Sequence, residues 1–132
     1  MGVIKIGEIM TKSVVTLPKG AKISAAAKLM AERSISCIVI VDDRNKPIGI
    51  VTERDIVKRV LFANADPNKV ILEDVMSSPV VTAGKDIKLM AAMKLMRENS
   101  IRRLVIIEKS GELNGIVTQT DLHKVMGRLH EK

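Results

Sequence analysis

Aromatic residues are almost missing from this chain: its 132 residues hold a single Phe, Phe62, with no Trp and no Tyr. Base stacking on aromatic side chains is therefore nearly unavailable, which argues against the usual single-strand nucleic-acid platforms. One cysteine, Cys37, excludes an intramolecular disulfide and any Cys-rich metal site. It heads an apolar run and reads as a core thiol. No window approaches the roughly 20 apolar residues of a membrane helix; the longest clean run is Cys37 to Val41. The first residues lack a signal-peptide layout, and Ile6 stands where a myristoylation signal needs Ser or Thr. A cytoplasmic protein with no membrane partner is expected. His123 and His130 have no second ligand at metal spacing, so no metal site is expected. There is no Walker loop, dinucleotide fingerprint, nucleophile elbow or catalytic histidine pair. An enzyme is not expected.

What is present is an ordinary globular balance of 46% hydrophobic and 28% charged residues, which rules out disorder for most of the length. The core must be built from Ile, Val, Leu, Ala and 8 Met. The 22 Lys and Arg outnumber the 15 Asp and Glu, for a formal charge of +7. That charge suits anionic ligands from a nucleotide to RNA without choosing among them.

Self-comparison is decisive for the architecture. Shifting the sequence by about 66 residues aligns two stretches of about 52 residues without a gap, with roughly two in five positions identical. The first runs from Ile9 to Val60 and the second from Val75 to Met126. MTKSVVT matches MSSPVVT, AAAKLMAERSI matches AAMKLMRENSI, and GIVTERDI matches GIVTQTDL. Each copy reads β-α-β-β-α. A β-branched run (Val14-Val15-Thr16; Val80-Val81-Thr82) leads into turn residues at Pro18 and Gly20, or Gly84. An amphipathic helix follows, with Ile23, Ala26, Ala27 and Met30, or Leu89, Ala92, Met93 and Met96, on its apolar face. The runs Ile38–Val41 and Leu104–Ile107 have the pattern of strands buried on both sides. Polar turns at 42–46 and 109–112 return the chain into strands at 48–52 and 115–118. A last helix carries Ile56, Val57 and Val60, or Leu122, Val125, Met126 and Leu129. Residues 61–74 form the linker and lead-in, with Pro67 stopping the helix. A unit of about 55 residues is marginal alone, so the copies are expected to pack with pseudo-two-fold symmetry into one α+β module spanning residues 1–132. Two related sites in shared clefts are then expected.

The sharpest local motif is Gly49-Ile50-Val51-Thr52-Glu53-Arg54-Asp55, repeated as Gly115-Ile116-Val117-Thr118-Gln119-Thr120-Asp121. Two readings fit it. Thr-x-x-Asp at a helix start is a capping pattern, the Thr hydroxyl accepting from a backbone N–H. The same geometry can hold phosphate at free N–H groups, with the carboxylate accepting from ribose hydroxyls.

The tandem pattern ending in GIVTxxDI resembles a pair of CBS motifs, the Bateman module, and covers the chain from about Ile6 to Met126. The resemblance implies a regulatory domain that binds adenosine-containing ligands such as AMP, ADP or ATP in clefts between its two motifs. One site is implied at Thr118, Thr120 and Asp121 with Arg102, Ile116, Val15, Ile35 and Ser36. Its mate is implied at Thr52, Arg54 and Asp55 with Ser36, Ile50, Val81, Ile101 and Arg102. The sites are unequal, since Arg54 stands where the other has Thr120, and Ser36 where the other has Arg102. Arg54 could neutralise phosphate by charge-assisted bonds. A homodimer is implied by the family's habit, and an effector protein, unidentified, would read the ligand state. The alternative is a nucleic-acid-associated basic protein, opposed by the missing aromatics and the absence of a dense basic run.

Overall fold

β-branched residues crowd the strand segments, and the helices carry Ala, Leu, Met and Lys, so local propensity already separates the two kinds of element. The computed structural model describes residues 3–130, apart from the side chains of 129 and 130. In chain order the strands and helices are β1 (Thr16–Pro18), α1 (Ile23–Arg33), β2 (Cys37–Val41), β3 (Pro47–Thr52), α2 (Glu53–Ile56), β4 (Thr82–Gly84), α3 (Leu89–Glu98), β5 (Arg103–Ile107), β6 (Leu113–Thr118) and α4 (Gln119–His130). Short 3₁₀ turns at Ile6–Glu8 and Leu72–Asp74 precede the two repeats' strands. The α+β repeat is real.

Each repeat builds its own three-stranded sheet, in the orders β1-β2-β3 and β4-β5-β6. β1 lies parallel to β2, with Thr16 opposite Val39, and the crossover between them is α1. β2 returns as β3 in an antiparallel hairpin, with Cys37 opposite Thr52. The second sheet repeats this register, with Thr82 opposite Val105 and Arg103 opposite Thr118. Both hairpins shift register in equivalent places, at Ile40/Val41 and Ile106/Ile107. The central strands are buried over three consecutive residues each, as their unbroken apolar runs require.

The chain forms two compact units. One is Val14–Val80; the other joins the segment ending at Ser13 to the chain from Val81 onward. Each unit therefore takes its lead-in from outside its own repeat. In the first unit Leu72 N–H donates to Ala21 O, and Ser77 and Ile50 exchange both backbone bonds. In the second, Ile6 N–H donates to Ile87 O, and Thr11 and Ile116 exchange both bonds. The core of the first unit gathers Ile23, Met30, Ile38, Ile40, Val51, Val60 and Leu72. That of the second gathers Ile6, Leu89, Met96, Leu104, Ile106, Val117 and Leu122. Complete burial of Leu72 or Ile6 stabilises by about 1.5–3 kcal/mol, which holds each lead-in on its unit.

Several details depart from the sequence reading. β1 and β4 begin at Thr16 and Thr82, two residues later than the valine runs, so Pro18 and Gly84 end strands instead of opening turns. Ala27 is exposed, because α1 turns only Ile23, Ala26 and Met30 fully inward. The last helix of the first repeat is α-helical only for Glu53–Ile56 and widens into a π-helical turn over Val57–Leu61. Val57, Leu61 and Phe62 are exposed by 54%, 63% and 89%, so Val57 is not a core residue. Cys37 opens β2 half-buried, short of the full core position its apolar run suggested. The side chains of Leu129 and His130 lie outside the described residues.

Candidate functional site

The end motif takes the same geometry in both units. Thr52 closes β3 and is the N-cap of α2. Its N–H donates to Asp55 Oδ2 at 2.9 Å, while Asp55 N–H donates to Thr52 Oγ1 at 3.2 Å. Thr118 and Asp121 repeat both bonds, at 3.0 and 3.2 Å. The capping reading is therefore correct as far as it goes. It consumes one carboxylate oxygen per Asp, since a carboxylate offers two oxygens and about four lone pairs.

The strand entering each central position is tied to the same helix start. Ser36 O accepts the Glu53 N–H at 2.9 Å, and Arg102 O accepts the Gln119 N–H at 2.8 Å. Ser36 thus lies beside the Thr52 motif and Arg102 beside the Thr118 motif, each within its own unit. Ile35 and Ile101 precede them, half-buried, after left-handed serines at Ser34 and Ser100 (both φ 53). Val15 offers its carbonyl to Val39 N–H, and Ile50 pairs with that same Val39, so both flank the central strand of the first sheet. Val81 packs on the second core, and Ile116 is buried in β6. Arg54, Arg102 and Thr120 are exposed. The Arg54 guanidinium has no hydrogen-bond or ion-pair partner among the described residues.

In the second unit a hollow of about 380 Å³ opens between the end of α3 and the start of α4. Ile101 and Arg102 line it, together with Met93, Arg97, Gln119 and His123. Thr118, Thr120 and Asp121 are not among its lining residues. Among the described residues no group of three or more His, Cys, Asp or Glu is arranged to hold a metal ion. No described helix is long and apolar enough to cross a membrane.

Three kinds of residue escaped the sequence reading. Gly49 and Gly115 let the lead-ins cross the strands closely: a Cβ on Gly115 would meet Met10 Sδ at 2.6 Å and Thr11 O at 2.8 Å, and one on Gly49 would strike the Met76 side chain. A glycine inside each strand was the available signal. Arg97 and His123 in the hollow carried no signal beyond helical spacing. Arg59 is the third: its Nη1 donates to Val75 O at 2.8 Å, and its Nε lies 4.0 Å from Asp55 Oδ1.

Comparison with known proteins agrees with this geometry. The CBS domain family model matches twice, over residues 6–61 and 72–128. An uncharacterized protein of Methanopyrus kandleri is 41% identical over 92% of this chain and 62% of its own length. Another from Methanocaldococcus jannaschii is 34% identical over 93% of this chain and 40% of its own length. The chain thus spans less than two thirds of these relatives. Among solved structures, a CBS domain pair in complex with 5′-methylthioadenosine and S-adenosyl-L-methionine superposes with a TM-score of 0.86 at 28% identity, covering 96% of this chain and 98% of its own. A hexameric CBS-CP12 protein from bloom-forming cyanobacteria gives 0.84 at 31% identity, over 93% and 72%.

Proposed function

The chain belongs to the CBS domain family, and from that premise we propose that it is a non-enzymatic regulatory module that binds adenosine-containing ligands through its two Thr-x-x-Asp motifs. The observation that carries this reading is the spare carboxylate oxygen. Capping satisfies Oδ2 of Asp55 and Asp121, and Oδ1 of each makes no hydrogen bond among the described residues, so it can accept from the vicinal hydroxyls of a ribose, that of Asp55 beside the Arg59 guanidinium. The first N–H of each helix is taken by Ser36 O or Arg102 O and the third by the threonine hydroxyl, so the second, at Arg54 or Thr120, is the one suited to a phosphate or another electron-rich tail. Val15, Ile35 and Ile50 in the first unit, and Val81, Ile101 and Ile116 in the second, supply apolar surface for an adenine ring. Ser36, Arg102 and Thr120 supply polar contacts. Arg54, exposed and unpaired, is suited to an anionic group and favours AMP, ADP or ATP over neutral adenosines.

A solved CBS pair that holds two adenosine compounds supports the ligand class. Ligand state would reach an effector protein, or a second copy of the module, through a shift in the populated conformation.

Calorimetric titration with AMP, ATP, S-adenosyl-L-methionine and 5′-methylthioadenosine tests the reading, with Asp55→Asn and Asp121→Asn as the discriminating variants. Each substitution should weaken one binding event by about ten- to a hundred-fold, the worth of a charged hydrogen bond of about 1.5–3 kcal/mol. Variants that melt lower but bind as tightly as the parent would return both Asp residues to capping alone.

A further inference from the structure

The two units carry the same cap but not the same carboxylate environment, and one residue makes the difference. Asp55 Oδ2 is taken by Thr52: the backbone N–H at 2.9 Å and the hydroxyl at 3.1 Å. Asp55 Oδ1 faces the Arg59 guanidinium, with Nε at 4.0 Å. That guanidinium is itself pinned, because Nη1 donates to Val75 O at 2.8 Å and reaches Met76 O at 3.4 Å. The Asp55 side chain is only 14% exposed and that of Arg59 49%, so the pair is partly screened by water on the arginine side. In the second unit the repeat places Val125 where the first has Arg59. Asp121 Oδ1 accordingly has no cationic partner within ion-pair distance among the described residues.

We propose that Arg59 is a positioning residue that makes the two adenosine sites unequal, engaging the ribose-accepting oxygen of Asp55 and so weakening the ribose contact at that site alone. This rests on the adenosine reading above. A carboxylate oxygen facing a guanidinium at 4.0 Å has part of its charge compensated, which leaves it a poorer acceptor for a ribose hydroxyl. The neutral valine at 125 imposes no such competition. Arg59 also fastens Val75 and Met76, in the lead-in that pairs Ser77 with Ile50 and seats Met76 against Gly49. A ligand that draws Asp55 away from Arg59 therefore acts on the contact that holds this lead-in down. The Asp121 site has no equivalent strap. One ligand met at two concentrations would be registered in two steps.

The test isolates each site. In an Asp121→Asn background, Arg59→Val should tighten AMP binding by about two- to five-fold, the worth of a partly exposed ion pair. In an Asp55→Asn background, Val125→Arg should weaken AMP by a similar factor. Both changes should shrink for 2′-deoxy-AMP, which lacks one of the hydroxyls in competition. Arg59→Gln serves if the valine variant does not fold, since it keeps the polar stem of the side chain as far as the level of Nε but carries no charge. A purely structural Arg59 would lower the melting temperature and leave the ratio of AMP to 2′-deoxy-AMP affinity unchanged; that result overturns the proposal. Absence of binding by the parent protein to AMP, 5′-methylthioadenosine or S-adenosyl-L-methionine would overturn the adenosine reading, and the proposal with it.

Discussion

Replacing Gly115 with alanine should be among the most damaging single-methyl additions this chain can receive. The new Cβ would lie 2.6 Å from Met10 Sδ and 2.8 Å from Thr11 O. The methionine can swing aside; the carbonyl cannot move without cost. Thr11 O accepts from Ile116 N–H at 3.0 Å, and Thr11 N–H donates to Ile116 O at 2.9 Å. Pushing the lead-in off the strand strains or breaks both bonds. Overpacking costs about 1–3 kcal/mol, and each weakened backbone bond adds about 0.5–1.5 kcal/mol. With some of that strain relieved by movement, Gly115→Ala should destabilise by about 2–4 kcal/mol, read from urea unfolding at constant m-value. Two other alanines calibrate the argument. At Gly49 the nearest obstacles all belong to the Met76 side chain, so the loss should be smaller, about 1–2 kcal/mol. At Gly127, inside α4, nothing lies within 4 Å, and alanine should stabilise by about 0.5–1 kcal/mol. If Gly115→Ala unfolds at the same urea concentration as the parent, or if Gly49→Ala is the worse of the pair, the close-crossing argument fails.

Three further outcomes follow from other parts of the structure. Ser34 and Ser100 both sit at φ 53 after a helix, so glycine at either position should raise stability by about 0.5–1 kcal/mol in thermal unfolding, relieving the left-handed backbone. Asp42 accepts from the backbone N–H groups of Lys46 and Arg44, which hold its carboxyl below the usual carboxylate range. Its support for the β2–β3 turn is therefore present above the ordinary carboxylate range and lost as pH falls through the lowered value; a carbon-detected titration placing Asp42 no lower than in the urea-unfolded chain would contradict this. Finally, AMP should bind at least ten-fold tighter than adenosine, and Arg54→Ala should narrow that gap. Equal calorimetric affinities for the two would remove the phosphate role of Arg54.

Much of this architecture was readable because duplication makes a weak pattern count twice. The runs Ile38–Val41 and Leu104–Ile107 are each ambiguous between strand and buried helix, yet their shared position before GIVT resolves both as the central strands. Capping by Thr52 and Asp55 was equally legible, since its partners lie three residues apart. What escaped detection depends on contacts distant in sequence. β1 starts at Thr16 because its register on Val39 decides which residues pair, and no local propensity distinguishes Val14 from Thr16 there. Val57 is exposed, as is His123 at the equivalent place in the regular helix α4, so the position faces outward in both repeats and its apolar identity misled the helical reading. The partners of Arg59 lie 16 and 17 residues away, beyond the reach of any motif.

The repeat also shows where the two halves diverged, and the divergence falls around the shared motif rather than within it. Thr52 and Asp55 match Thr118 and Asp121 in identity and in their two backbone N–H bonds to within about 0.1 Å; the added bond from the Thr52 hydroxyl to Asp55 Oδ2 belongs to the first unit alone among the described residues. The differences lie one step outside: Arg54 against Thr120, Arg59 against Val125, Ser36 against Arg102, Val57 against His123. Val125 packs against the second core, but Arg54, Thr120, Ser36, Arg102, Val57 and His123 are all exposed, so core packing does not dictate those three pairs. They change the charge beside each carboxylate and the polarity of each helix surface, which are the quantities that set ligand preference and partner contact. A scaffold alone would keep both caps, since each steadies its helix start; what the proposed sites add is a reason for the arginines to be distributed differently around them.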